Sequence, residues 1–592
     1  MKKYLLIALA ALGLAACAEK MDDNSPVQKG ELEESYIAIN LMAADVDTRA
    51  VTDDIGKADE YGYEEGTIAE RAINSAYFFF FDAEGNAFNV TGNPASAPGG
   101  EKNYLQLTIG ATTGQTENVS DIKEAVVVLS TYKGVYPSQI VAVINWTPAV
   151  GKNTYSLEEL RGVMANSIGN DTDGYVMSNS VYMDGAGNVV DAVPLTAANI
   201  KTTPEAAKAA PVDIYVERTA AKVVLTASKK IGEVQNMILF DTQKNSNPVE
   251  EQSGSLSALG EIDVYVQLHG WELYNDYSTS TLLKNINTSW DVTTLGLTWN
   301  DIPYFRCYWA QSQATSQSDA FAWNYTNADK ETNGFQTIYG FNVGASANYS
   351  DRTTYTYCGE NTNQKVDATD PRTKVILKGQ LMKKNGENYE PLELARWYGT
   401  EYAGNEALRI AVANSLKYTL YYYDDVNKKH VSIHPDHLVC VEGTKVNNAK
   451  VYEVGFQLTT DAAKLRWFQY SSETGYVEFG NNTIPGDNAV EANKYLKDVE
   501  PALLYASGQT YYIVDIKHLG AAGKTAEYGV VRNHVYQIDI NSIKGYGTPV
   551  YIGTSSIVTP PEYPEDEESS YVAARINVLS WKVVKQGVDI VQ

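Results

Sequence analysis

The strongest constraint on the fold is a succession of short apolar runs, each ended by turn-forming residues. Ile73-Asn-Ser-Ala-Tyr-Phe-Phe-Phe-Phe81 runs directly into Asp82-Ala-Glu-Gly85-Asn86, which reads as an apolar strand closed by a turn. Ala125–Ser130, Ile140–Trp146, the stretch from Ile214, Lys374–Lys378 and Tyr511–Lys517 repeat that pattern. Helical signals are few. Ser156–Met164 carries a capping box, with Ser156 as N-cap and Glu159 three residues on, and Pro391–Trp397 is a second short candidate. Many strands separated by Gly-, Asn- and Asp-rich turns predict an all-β protein of sandwiches, not a parallel α/β sheet. Forty-two tyrosines in 592 residues agree, because tyrosine suits a pleated, half-exposed surface.

The amino terminus speaks to the compartment. Lys2 and Lys3 precede a short apolar stretch, Tyr4 to Ala16, which ends in Leu14-Ala15-Ala16-Cys17. An apolar stretch of this length reads as a signal peptide, since a membrane span needs about 20 residues. Leu-Ala-Ala-Cys resembles a bacterial lipobox, in which the cysteine is lipidated and becomes the new amino terminus. The alternative is an ordinary signal in which Cys17 is incidental. A polar tether, Ala18 to Glu34, follows. Then comes Tyr36–Ala43, where Ile37, Ile39 and Leu41 alternate with Ala38, Asn40 and Met42, the period of a half-buried strand. Directly after it, Asp45–Asp54 holds one basic residue, Arg49, among acids. A trypsin-like enzyme could therefore cut the Arg49–Ala50 bond and release that one strand; Arg71 is a weaker alternative.

Catalytic and ligand-binding patterns are sparse. The charge sum, 47 − 73 = −26, repels phosphate backbones and argues against nucleic acid as a partner. No phosphate-cradling glycine loop, G-x-S-x-G elbow or H-E-x-x-H helix occurs. Asn170–Gly174 hints at a calcium loop, but position twelve would be Ser180, so it reads as a turn. His430, His434, His437 and Cys440 lie close in sequence and could in principle hold zinc. Against that, Pro435 interrupts any helix, and in a strand His437 leaves the face shared by the other two. His269, His518 and His534 stand alone in strand-like surroundings. No enzyme and no cofactor are expected. Cys307, Cys358 and Cys440 are too widely spaced for a disulfide scaffold; a Cys307–Cys358 bridge stays open.

Two composition breaks suggest boundaries. One is Thr202–Pro211; the other is the acidic, proline-bearing run Pro560–Ser570, which should stay extended. After it the chain ends in Tyr571–Gln592, rich in Val, Ile and Trp.

Several segments together resemble the Bacteroidales fimbrillins, notably shaft subunits of short, or minor, fimbriae (type V pili). They are Val216–Val224, Tyr175–Tyr182, Tyr357–Thr362, Gly529–Tyr536 and Ala574–Trp581. The resemblance spans the whole chain and rests on the order of these segments. It implies two transthyretin-like Greek-key β-sandwich domains with few short helices. With the breaks above, the expected layout is a signal peptide at 1–17 and a propeptide at 18–49, then an N-terminal sandwich at 50–211. A C-terminal sandwich with insertions at 212–559 and a linker with donor strand at 560–592 complete it. The family also implies a path. A lipidated (palmitate-bearing) precursor, aided by Asp22 and Asp23, is displayed at the outer membrane. An arginine-specific protease then cuts it, matched here by Arg49–Ala50. Loss of Ile37, Ile39 and Leu41 would open a groove that a foreign strand fills, with Ile576, Val578, Trp581, Val583, Val588 and Ile590 as the donor side chains. The implied product is an extracellular homopolymer serving adhesion and biofilm formation. Anchor and tip fimbrial subunits would be its partners, and host or bacterial surface receptors its targets. The rival expectations are a fimbrial tip adhesin and a lipid-anchored, glycan-binding surface protein.

Overall fold

The computed structural model describes residues 32–43, 69–90, 102–107, 122–132, 135–166, 173–183, 188–226, 232–234, 237–252, 255–274, 276–277, 279–286, 355–362, 372–443, 452–480, 487–518, 527–550 and 582–591. Within them the chain is all-β, with few and mostly short helices.

The first large sheet runs, strand by strand, Tyr104–Leu107, Ala76–Phe81, Gln139–Ile144, Met177–Asn179, Val212–Arg218, Leu32–Ala43 and Ile122–Tyr132. Its aromatic run explains its central place. Phe78 and Phe80 enter a core shared with Ile37, Val127, Ile140, Ile214 and Val216, while Tyr77, Phe79 and Phe81 enter a second core with Val141, Tyr155, Leu157 and Leu160. Alternate side chains of a strand point to opposite faces, so an unbroken apolar run belongs where both faces are covered. The second core rests partly on the helix Leu157–Arg161, whose capping box forms as expected: the Glu159 amide donates to Ser156 Oγ and the Ser156 amide to Glu159 Oε2.

The strand Val212–Arg218 continues through Thr219 into Ala220–Thr226, which starts a second sheet. That sheet is ordered Tyr355–Gly359, Ala220–Thr226, His534–Lys544, Lys582–Val591. A third sheet is built on Met237–Ser246, Ile262–Tyr274, Lys374–Asn385 and Gln509–Asp515. It packs against the second through Met237–Ser246 and His534–Lys544.

The helix expected at 391–397 is a strand. Leu394–Trp397 pairs with Thr400–Tyr402, and the turn between them decides the matter. Tyr398 and Gly399 have φ of 49° and 74°, the two positive values that a two-residue hairpin requires. Conversely, Gly404–Leu416 and Asp487–Leu496 are helices that the sequence reading omitted. Both pack, with Leu438, Val454, Phe456 and Trp467, into a separate core. Cys440 lies in that core, and burial pushes its thiol up to about 12. Maleimide should therefore leave Cys440 unmodified in the folded protein at pH 8, since the reactive thiolate is nearly absent. Rapid modification without denaturant would contradict this packing.

Candidate strand-exchange site

The early strand Leu32–Ala43 does not cap the edge of the first sheet but lies inside it. On one side it pairs in parallel with Val212–Arg218, from Ile39 opposite Val212 to Ala43 opposite Val216. On the other it pairs antiparallel with Ile122–Tyr132, from Leu32 opposite Tyr132 to Met42 opposite Ile122. Ile37 is fully buried in the first core, and Ala38 is buried as well. The helix Pro204–Lys208 lies against the same strand. Taking the strand away would strip hydrogen-bond partners from both neighbours and leave a slot over open core. Ile39 and Leu41 share the sequence parity of Ile37 on this strand.

At the other end of the chain, Lys582–Val591 forms the last strand of the second sheet, parallel to His534–Lys544, with Lys582 opposite His534 and Val591 opposite Lys544. The one register irregularity falls on the partner, between Ile540 and Ser542. Val588 and Ile590 therefore share one strand parity and Val583 has the other. Cys17, Arg49, Ala50, Ile576, Val578 and Trp581 lie outside the described residues, as does Cys307.

Of the histidine cluster, only His434 and His437 are neighbours, their ring centroids 6.1 Å apart. His430 stacks flat on Tyr476, with ring centroids 3.9 Å apart and planes 4° off parallel. The ring of His437 meets Tyr422 and Trp467 edge-on, and His434 pairs with Asp436 at 3.2 Å. Among the described residues no group of three or more His, Cys, Asp or Glu could hold a metal ion. His518 and His534 do not stand alone. Their rings lie 5.2 Å apart, and His518 Nδ1 is 2.9 Å from the Tyr536 hydroxyl.

What the sequence reading missed is a buried ionic seam where the first two sheets meet. The Arg532 guanidinium donates to Glu360 Oε1, to the carbonyls of Thr281 and Leu282 and to Thr281 Oγ1, at 2.8–3.2 Å. Lys284 pairs with Glu217 at 2.8 Å with both side chains fully buried. Burial pushes the Glu217 carboxyl up, against the pull of Lys284 and Arg532. Lys222 Nζ lies 3.0 Å from Glu70 Oε1, again fully buried. The Tyr357 hydroxyl donates to the same carboxylate, and Arg218 Nε donates to the Glu70 carbonyl at 2.6 Å. Arg218 also reaches Asn533 Oδ1 at 3.0 Å. Tyr175 packs its ring 4.9 Å from that of Tyr357, and Ser178 Oγ donates to the Leu282 carbonyl, so four segments that carried the family resemblance, 175–182, 216–224, 357–362 and 529–536, converge on one seam. The available signal was charge inside apolar strand: Glu217-Arg218 sits between Val216 and Thr219, and Arg532-Asn533-His534 between Val531 and Val535.

Glu70 fastens the chain just before the Arg71–Ala72 bond. Its substitution by Gln should expose that bond, because a neutral amide no longer answers Lys222. Cleavage after Arg71 by trypsin is expected to accelerate at least tenfold, while Lys222 and Arg532 stay uncut. Equal rates at Arg71 in both proteins would refute the fastening role; cuts at Lys222 would signal general unfolding instead.

A first sheet that holds the early strand Leu32–Ala43 inside it, and a second that carries Lys582–Val591 at its edge, define an all-β protein of packed sheets. Residues 503–587 match the family model described as Major fimbrial subunit protein type IV, Fimbrillin, C-terminal. The match takes in His534–Lys544 and the start of Lys582–Val591. Over that stretch the chain is similar to the carboxy-terminal region of a fimbrillin. Among solved structures it is similar to a fimbrilin (fimA) from Porphyromonas gingivalis W83, at 11% identity and TM-score 0.33, covering 94% of this chain and 97% of that one. A fimbrial assembly protein from Parabacteroides distasonis aligns at 10% identity and TM-score 0.26, over 76% of this chain and 100% of that one. The tip fimbrial protein Mfa3 from Porphyromonas gingivalis aligns at 10% identity and TM-score 0.23, over 85% and 94%. No curated protein matches the chain by sequence.

Proposed function

We propose that this fimbrial subunit is a structural polymerising protein whose first strand is a removable plug. It is exported as a lipoprotein through Cys17, cut after Arg49 and joined to the next copy by its own carboxy-terminal strand. The observation that carries this reading is the placement of Leu32–Ala43, which lies between two strands with Ile37 in the core. That strand is linked to the body only through residues 44–68, the stretch that contains Arg49.

A cut there leaves the plug held without a covalent bond. An incoming strand regains backbone hydrogen bonds along its length and buries alternate side chains, each contributing roughly 1.5–3 kcal/mol. A contact that runs head to tail and does not close builds a filament. The expected layout follows: propeptide 18–49, sandwiches at 50–211 and 212–559, linker and donor at 560–592. No catalytic group is needed.

The test is competition. A synthetic peptide spanning residues 571–592, added in excess to the cleaved subunit, should bind stoichiometrically and halt chain growth at capped monomers. Growth that continues unchanged, with no peptide bound, would refute the reading.

A further inference from the structure

We infer that a part of the chain unused by the polymerisation reading holds a box for a neutral carbohydrate, and the inference does not depend on that reading. Leu394–Trp397 and Leu503–Tyr505 are antiparallel neighbours, with Leu394 opposite Tyr505. The chain between them gathers the separate core of Leu408, Val412, Phe456, Trp467 and Leu496, so this region is an insertion whose two ends meet. It carries a four-stranded sheet ordered Lys429–Ser432, Leu420–Asp424, Trp467–Ser471, Gly475–Glu478. Leu420, Tyr422 and Trp467 turn inward to that core. By strand alternation Tyr421, Tyr423, Phe468 and Tyr470 turn outward, and His430 and Tyr476 pack among them.

The two ends of this outward aromatic layer differ. At one end the Arg466 guanidinium sits 5.5 Å over both Tyr423 and Phe468, held by hydrogen bonds of 2.9 and 2.8 Å to Glu478. A fixed cation covers that end. At the other, Tyr476 lies flat on His430 and is flanked by Tyr421, 5.0 Å away at 86°, and by Tyr470, 4.8 Å away at 48°. With one face against His430, Tyr476 is still 43% exposed, so its other face is the one turned to solvent. The hydroxyls of Tyr421, Tyr470 and Tyr476 make no hydrogen bond among the described residues. The result is a floor and two walls of aromatic ring with three phenols left to bond a ligand.

Such a box complements the flat side of a sugar. An aromatic face is weakly negative, and the axial C–H bonds of an all-equatorial pyranose present weakly positive hydrogens to it. The equatorial hydroxyls of the same sugar ring point sideways, toward phenols that both donate and accept. An equatorial, β-linked oxygen leaves the stacking side unobstructed. Charge favours a neutral ligand. Arg466 and Glu478 neutralise each other, so the pair offers no counter-ion to an anionic group, and the net charge of −26 repels one. A proline-rich peptide also stacks on aromatic rings, but it offers one carbonyl per residue where a hexose offers several hydroxyls.

The test uses the intact subunit and cellotetraose, a neutral β-1,4-linked glucose chain, followed by saturation-transfer NMR and titration. Saturation should reach the axial ring protons before those on C6. Tyr476→Ala should weaken binding at least about tenfold, Tyr476→Trp should retain it, and Val477→Ser, of opposite parity on the same strand, should leave it unchanged. No transfer to cellotetraose overturns the proposal. So does binding that Tyr476→Ala leaves intact or that Val477→Ser removes equally, and so does capture of a proline-rich peptide in place of the sugar. If Tyr476→Ala fails to fold, Tyr470→Phe with Tyr476→Phe keeps the rings and removes two hydroxyls. That variant should bind severalfold more weakly, and unchanged binding overturns the proposal.

Discussion

A subunit ending at Ser570 is expected to fold and to be cut after Arg49, and then to remain monomeric. Among the described residues Lys582–Val591 is an edge strand that pairs only with His534–Lys544, which also pairs with Ala220–Thr226 on its other side. Truncation therefore uncovers one sheet edge. Loss of the early strand is different in kind, because Leu32–Ala43 has a neighbour on each side and brings Ile37 to the core. The truncated protein should keep the circular dichroism and elution volume of the intact precursor, while high-mass ladders after cleavage vanish. Ladders of normal yield would show that the joint lies elsewhere.

The second large effect concerns the seam. Arg532→Met should destabilise the fold by about 3–5 kcal/mol, because the buried Glu360 loses its guanidinium partner and the carbonyls of Thr281 and Leu282 lose that donor. The companion variant Arg532→Met with Glu360→Leu removes both charges and should recover part of the loss, since an apolar pair of similar volume often replaces a buried ion pair at little cost. Denaturant titration followed by tryptophan fluorescence measures both. A loss under 1 kcal/mol for Arg532→Met would mean that the seam contributes little. A double variant worse than the single would mean that the other seam charges depend on Glu360.

The legible parts of the fold were those governed by local rules. The Phe78–Phe81 run, the Ser156 capping box and the alternation through Ile37 each follow from periodicity or capping. The helix Gly404–Leu416 was also readable, since Leu408, Ala411, Val412 and Leu416 recur at helical spacing, but the reading passed over it. Leu394–Trp397 was misassigned because four residues carry little periodic signal, and the deciding feature, positive φ at Tyr398 and Gly399, lies outside the strand. The seam was not legible. Glu70 and Lys222 lie 152 residues apart in sequence, and nothing local tells a buried charge from a solvated one. The order of the family-like segments was visible, but that four of them meet in space depended on the three-dimensional arrangement.

On the function proposed above, removal of one internal strand makes this subunit polymerise. The most direct measurement is limited trypsin digestion of the precursor lacking residues 1–17, followed by determination of the new amino terminus and electron microscopy of the product. The account predicts a start at Ala50 followed by SDS-resistant ladders and fibres. Cleavage at that bond with a product that stays monomeric after long incubation would contradict it and favour a tip or adhesin role. An Arg49 bond that resists digestion would favour a lipid-anchored binding protein.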